Sequence, residues 1–216
     1  MFNGVTIVLT LLALASAALH IRAEYGGSRA QVYLFKPLTT VAILLIAAGS
    51  SGETLPAYRY AIIAGLLCSL AGDVFLMLPA DRFLAGLVSF LLAHLCYIVA
   101  FNVGVQPLMP LWSGLPFLAY GMMLFARLRP HLGSMALPVA GYSLVISVMA
   151  WQACARWLQL ATPDALLAGI GAVLFVASDS LLAIDRFAGS FRWAHLAILV
   201  TYYVAQWLIA ASTCAL

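Results

Sequence analysis

Charged residues are scarce in this sequence: Asp, Glu, Lys and Arg make up 8% of its 216 positions. Soluble domains carry about 25%, so a water-facing globule is excluded, and the 65% hydrophobic content points to an integral membrane protein. Cysteine is sparse as well. Cys68, Cys96, Cys154 and Cys214 lie in separate apolar stretches with no CxxC pair, which argues against a disulfide or zinc framework and leaves them as small buried hydrophobes. No low-complexity run and no polar domain interrupts the chain. Residues 1–216 therefore read as a single multi-pass transmembrane domain, and any function resides inside it. The net charge of +3 needs no nucleic-acid partner, because the basic residues sit at connections and follow the usual topology bias of membrane proteins.

What is present is a series of long apolar runs. Crossing the hydrocarbon core takes about 20 apolar residues. Eight segments meet that length: 3–21, 34–50, 58–78, 83–103, 110–127, 135–155, 164–184 and 193–214. Between them stand Gly, Pro and charge, as in EYGGSR, LPADR, RLRPHLG and IDRFAGSFR. The fifth is interrupted by Pro110, Gly114 and Pro116. Alternating patterns for a barrel are missing, so the expected fold is all-α, an eight-transmembrane-helix bundle. Ala15-Ser16-Ala17 resembles a leader cleavage site, but no Lys or Arg precedes the first run, so it reads as a retained helix.

Arg22, Arg29, Arg82, Arg127, Arg129, Arg186 and Arg192 fall at connections one, three, five and seven, and only Arg59 and Arg156 lie on the other side. Positive residues stay cytoplasmic, which directs both termini away from the cytoplasm. Asp73, in LLCSLAGDVFLMLP, and Asp179, in VLFVASDSLLAI, then lie about five residues before the cytoplasmic ends of their helices, roughly 8 Å inside the boundary. Lys36 and His195 start their helices from the same side. Tyr202 and Gln206 follow His195 on one helical face. His94 and Tyr97 sit nearer the midplane. GDVFLMLPADRF (72–83) and SDSLLAIDRF (178–187) share an acid after a small residue and a closing Asp-Arg-Phe, which suggests a parallel 4+4 internal repeat.

An Asp at mid-membrane costs about 2.5–3.5 kcal/mol. Either the two acids tie helices together through Lys36 or an arginine, or they line a functional cavity, the commoner use of intramembrane acids. His94 alone reads equally as an interhelical donor, and Lys36 as a residue snorkelling to the headgroups. Tyr33, Trp112, Trp151, Trp157 and Trp193 are expected at the interfacial belt. Asp81-Arg82 and Asp185-Arg186 are expected to pair within their loops.

The motifs FKPLT (35–39), Gly72-Asp73, Leu78-Pro79 and FLAGLVSFLLAHLCYIVAF (83–101) resemble the YhhN family of membrane proteins, in order and over nearly the whole chain. VASDSLLAIDRF (176–187) and TYYVAQWLI (201–209) match its vertebrate lysoplasmalogenase members as well. The resemblance implies hydrolysis of the vinyl ether bond of lysoplasmalogen, a lysophospholipid, to a fatty aldehyde and glycerophosphoethanolamine or glycerophosphocholine.

That reaction begins with protonation of the alkene carbon to give an oxocarbenium ion. Water then adds, and the hemiacetal collapses. The slow step wants an acid that still holds its proton near neutral pH and a negative charge beside the cation, a labour that two carboxyls can divide as in glycosidases. Asp73 and Asp179, meeting in one poorly hydrated chamber, are the expected catalytic pair. Lys36 with Arg22 or Arg29 is expected to bind the phosphate, and His94, Tyr97, Tyr202 and Gln206 to orient water or the glycerol. No cofactor is implied, and no metal, since a zinc site wants three or four clustered ligands. The same acids would serve a proton-coupled transporter, although no Gly/Pro-broken helices occur at matching positions of the two halves. A non-catalytic lipid-binding protein is the third reading.

Overall fold

The computed structural model describes residues 3–50, 54–106 and 111–214. These residues fold into eight α-helices with no strand among them: α1 Gly4–Gly26, α2 Arg29–Ala48, α3 Pro56–Met77, α4 Phe83–Asn102, α5 Leu115–Leu128, α6 Ala136–Leu160, α7 Pro163–Ala183 and α8 Ala194–Ala211. Local chemistry sets the boundaries. The Asn3 side chain caps α1 by accepting from the Thr6 N–H at 2.8 Å, and Gly27 ends it in the left-handed region at φ 71°. Pro56 and Pro163 open α3 and α7 where a missing N–H costs nothing. Pro37 lies inside α2, and the hydroxyls of Ser16 and Thr39 both donate to the Phe35 carbonyl in the turn beside it.

Seven helices are long and apolar enough to cross a membrane, and the chain is a multi-pass membrane protein. The exception is α5. It has 14 residues and is flanked by 3-10 turns at Leu111–Gly114 and Arg129–His131, so the fifth expected span is shorter as an α-helix than its apolar run. Pro110 lies outside the described residues.

Helices in lipid gain little from apolar burial against one another and associate through close packing of small residues. The interior here is accordingly rich in alanine, with Ala42, Ala93, Ala150, Ala172 and Ala205 all buried. Glycines such as Gly65 and Gly171 permit closer approaches than alanine would. A Cβ at Gly65 on α3 would stand 2.2 Å from the buried ring of Tyr97 on α4, and one at Gly171 on α7 would meet the Ala205 carbonyl of α8 at 2.9 Å. Gly171→Ala should therefore lower thermal stability in detergent. Overpacking against backbone costs about 1–3 kcal/mol, more than the gain of at most about 1 kcal/mol in helix propensity. An unchanged or raised midpoint would mean that α7 and α8 can separate freely.

The loop pairs differ from expectation. Arg186 reaches Asp81, in the connection between α3 and α4, at 2.5 Å instead of its neighbour Asp185. Asp185 lies 3.9 Å from His195. The Arg186 hydrogen bond holds the exposed Asp81 carboxyl below its ordinary range, so this link persists at neutral pH and is lost only on acidification through that lowered value. Consecutive residues point apart, whereas the two loops lie side by side, and Phe83 and Phe187 meet edge to face there at 5.5 Å. Trp112, Trp157, Trp193 and Tyr33 are exposed, as a belt requires, but the Trp151 indole N–H is turned toward Ser113 and donates to its hydroxyl at 2.8 Å.

Candidate active site

Asp73 and Asp179 each lie four residues before the end of their helices, α3 and α7. Each is held by its own partners.

Asp73 is sealed inside the bundle, 1% exposed. Its Oδ2 accepts from the hydroxyls of Thr40 on α2 and Tyr202 on α8, both at 2.7 Å, and its Oδ1 faces the Lys36 ammonium at 3.7 Å. Polar contacts continue along α8. The Gln206 amide donates to the Tyr202 hydroxyl at 3.2 Å, and its Oε1 accepts from Tyr97 of α4 at 2.8 Å. Lys36, Asp73, Tyr202, Gln206 and Tyr97 thus form one buried network in which one carboxyl oxygen of Asp73 accepts two hydrogen bonds and the other faces an ammonium.

Asp179 stands in a different setting. Its Oδ2 accepts a short hydrogen bond from the Tyr142 hydroxyl of α6, and the His94 Nε2 of α4 lies 3.3 Å from the same oxygen and 2.8 Å from that hydroxyl. Oδ1 has no hydrogen-bond partner among the described residues, and the side chain is 14% exposed. It opens onto a cleft lined by α3, α4, α5, α6 and α7. Leu76, Phe83, Leu87, Phe90, Leu124 and Val139 supply its apolar wall, and Tyr120, Ser143, Ser147 and Ser180 add hydroxyls. Among the described residues no three His, Cys, Asp or Glu side chains converge to hold a metal ion.

Asp73 and Asp179, expected to meet in one chamber, share no hydrogen-bond partner among the described residues. Phe175 of α7 packs its ring 4.8 Å from His94 and 5.6 Å from Tyr202, so an aromatic wall shared with Phe90 touches a partner of each acid. His94 belongs with Asp179, and Tyr97, Tyr202 and Gln206 with Asp73. Arg22 is exposed on α1 and makes no ion pair among the described residues. Sequence reasoning passed over Tyr142 and Thr40. Tyr142 lies early in α6, which starts from an arginine-bearing connection, so the depth argument that located Asp179 would have placed this hydroxyl beside it. Thr40 follows Lys36 by one helical turn, the spacing that puts two side chains on one face.

The sequence profile of the YhhN family matches residues 31–213, which include all of these groups except Arg22. Human lysoplasmalogenase TMEM86B is 41% identical over 155 residues, covering 72% of this chain and 64% of the human protein. The chain therefore aligns with slightly less than two thirds of that relative's length. The rat protein of the same name is 37% identical over 180 residues, covering 82% of this chain and 70% of its own. The uncharacterized membrane protein YhhN of Escherichia coli O157:H7 is 31% identical over 199 residues, covering 91% of this chain and 94% of the relative. No solved structure matches. With the match running from α2 through α8 and holding both carboxyl sites, the chain belongs to the YhhN family.

Proposed function

We propose that this protein hydrolyses the vinyl ether bond of lysoplasmalogen, with Asp179 as the group that donates and then recovers the proton. The observation that carries the reading is the state of that carboxyl. One oxygen is anchored by Tyr142 and His94, and the other is free at the wall of an apolar cleft. Relatives at 37–41% identity bear the name lysoplasmalogenase.

The cleft takes the hydrocarbon chain and brings the vinyl ether to Oδ1. Asp179 transfers its proton to the alkene carbon one removed from the ether oxygen, and the C=C electron pair forms the new C–H bond. The resulting carboxylate faces the oxocarbenium carbon and stabilises it, helped by the Tyr142 hydroxyl, which donates to Oδ2. Water adds to the cation and returns a proton to Asp179. The hemiacetal then breaks its bond to the glycerol oxygen, giving a fatty aldehyde and the glycerophospho-alcohol. One water is consumed and no redox partner is needed. Asp73 and Lys36 are a positioning pair that keeps Tyr202, Gln206 and Tyr97 in place beside the aromatic wall.

Purified protein in detergent should release aldehyde from a vinyl-ether lysolipid and none from its ester-linked counterpart. Absence of aldehyde, with the substrate moved across sealed vesicles instead, would favour a transporter.

The architecture that supports this chemistry is a parallel duplication of four crossings. Carrying α1–α4 onto α5–α8 takes α3 to α7 and α2 to α6 and exchanges α4 with α8. Asp73 on α3 is bonded from α2 and α8, and Asp179 on α7 is bonded from α6 and α4, the partners this operation requires. Phe83 and Phe187, equivalent in the two Asp-Arg-Phe runs, touch each other as residues near a two-fold axis do. The eighth crossing is the run 111–131, whose 3-10 and α turns have a contour of about 35 Å against a core of about 30 Å. The arginine-bearing connections of this duplication face the cytoplasm and both termini face away.

A further inference from the structure

At the arginine-rich end of the bundle, Glu24, Tyr25, Ser190, Phe191, Arg192 and His195 line an open pocket at the surface. The site already described uses none of these residues. Glu24, on the last turn of α1 and 29% exposed, presents a carboxylate beside His20, whose Nε2 is 3.3 Å away. His20 is fixed in turn by a 2.8 Å hydrogen bond between its Nδ1 and the Tyr203 hydroxyl. Arg192, which also lines the pocket, has no carboxylate partner among the described residues and lies over the Trp193 ring at 4.9 Å. His195 is 59% exposed, with Asp185 at 3.9 Å. A carboxylate and an unpaired guanidinium thus share one cavity without neutralising each other by contact.

We infer that this pocket is a head-group subsite for a zwitterionic phospho-amino-alcohol, the ammonium held by Glu24 and the phosphate by Arg192 and His195. An acidic and a basic group that line one pocket without an ion pair between them suit a ligand that carries both charges a few bonds apart, because each ligand charge then meets its opposite. A guanidinium presents paired donors to phosphate oxygens. The pocket also lies within reach of the reacting cleft. Phe187 lines the cleft that holds Asp179 and Ser190 lines the head-group pocket, so three residues of chain keep them within about 11 Å. A lysolipid extended along that segment has its head at Arg192 and its hydrocarbon chain directed toward the cleft. The assignment rests on the lysolipid reading for its ligand class, and it adds a residue that senses the amine.

The test is binding without turnover. A lysophospholipid with a saturated, unreactive ether chain is titrated into the detergent-purified protein by calorimetry, once with a phosphoethanolamine head and once with a bare phosphate head. A charge-assisted hydrogen bond is worth about 1.5–3 kcal/mol, which converts to roughly tenfold or more in affinity. The wild type should prefer the zwitterionic head by about that factor. Glu24→Gln should erase the preference while leaving the phosphate-headed lipid bound as before, and Arg192→Gln should weaken both. Soluble glycerophosphoethanolamine should displace the lipid, and inorganic phosphate should do so far less well. Equal affinity for the two heads in the wild type, an unchanged preference in Glu24→Gln, or equal displacement by phosphate alone would overturn the assignment. Since Glu24 also touches His20, the exposed Arg192 variant provides the check that is free of folding effects. Loss of aldehyde chemistry with the preference intact would remove the proposed reaction and leave the subsite standing.

Discussion

Asp179→Asn should reduce aldehyde release from a vinyl-ether lysolipid by about 10²–10⁴-fold, the range supplied by a positioned general acid. The fall should appear in kcat, with KM little changed, because the chain still fills the same apolar cleft. Stability should hardly move. The asparagine oxygen can still accept from Tyr142, and the other side-chain position faces the cleft, where an amide can be hydrated. Tyr142→Phe makes the companion measurement. It removes the donor to Oδ2 while keeping the ring that packs 5.2 Å from His94, so it should lower kcat by less than the aspartate change. Asp179→Asn protein turning over at the wild-type rate would mean that the proton comes from elsewhere.

Much of this site was legible in the sequence, but only along the membrane normal. Apolar runs and arginine placement put Asp73, Asp179, Lys36 and Tyr202 in the same half of the bilayer, and the structure groups them into two clusters near the same helix ends. Depth carries no information about azimuth. Two residues at one level on α3 and α7 can share partners or be held by separate ones, and the fold gives each acid its own. The repeated Asp-Arg-Phe signal already hinted at the reason. If α3 and α7 are equivalent helices about an axis, their acids face equivalent neighbours and need not face each other. The same limit explains the loops, where Asp81 pairs with Arg186 of the other loop, since a sequence shows adjacency in the chain and not adjacency in space. Tyr142 was within reach, because its depth follows from the arginines before α6. Trp151 was not, because only the approach of the Leu111–Gly114 turn tells its indole to point inward.

The other large effect belongs to Asp73, and it is one of stability. Asp73→Asn leaves Thr40 and Tyr202 an oxygen to donate to, yet it strips the Lys36 ammonium of the charge that faces it at 3.7 Å. Lys36 is 12% exposed, so it cannot turn fully into water without breaking the packing between α2 and α3. Leaving one member of a buried pair uncompensated costs about 3–5 kcal/mol, and at roughly 2–4 °C per kcal/mol for a chain of this size the thermal midpoint should fall by about 10 °C. Replacing both charges is the informative step. Lys36→Met with Asp73→Asn puts an apolar side chain beside an amide whose oxygen still accepts from two hydroxyls, so no charge is stranded, and buried pairs exchanged together are often nearly neutral. The double variant should therefore be more stable than Asp73→Asn alone, with a coupling energy of about 1–3 kcal/mol between the two sites. It should also keep measurable aldehyde release, since Asp179, Tyr142 and His94 bond to one another and not to the Asp73 network. Single effects that simply add would show that the pair is no tie. A stable double variant as inactive as Asp179→Asn would move Asp73 from holding the site to taking part in its chemistry.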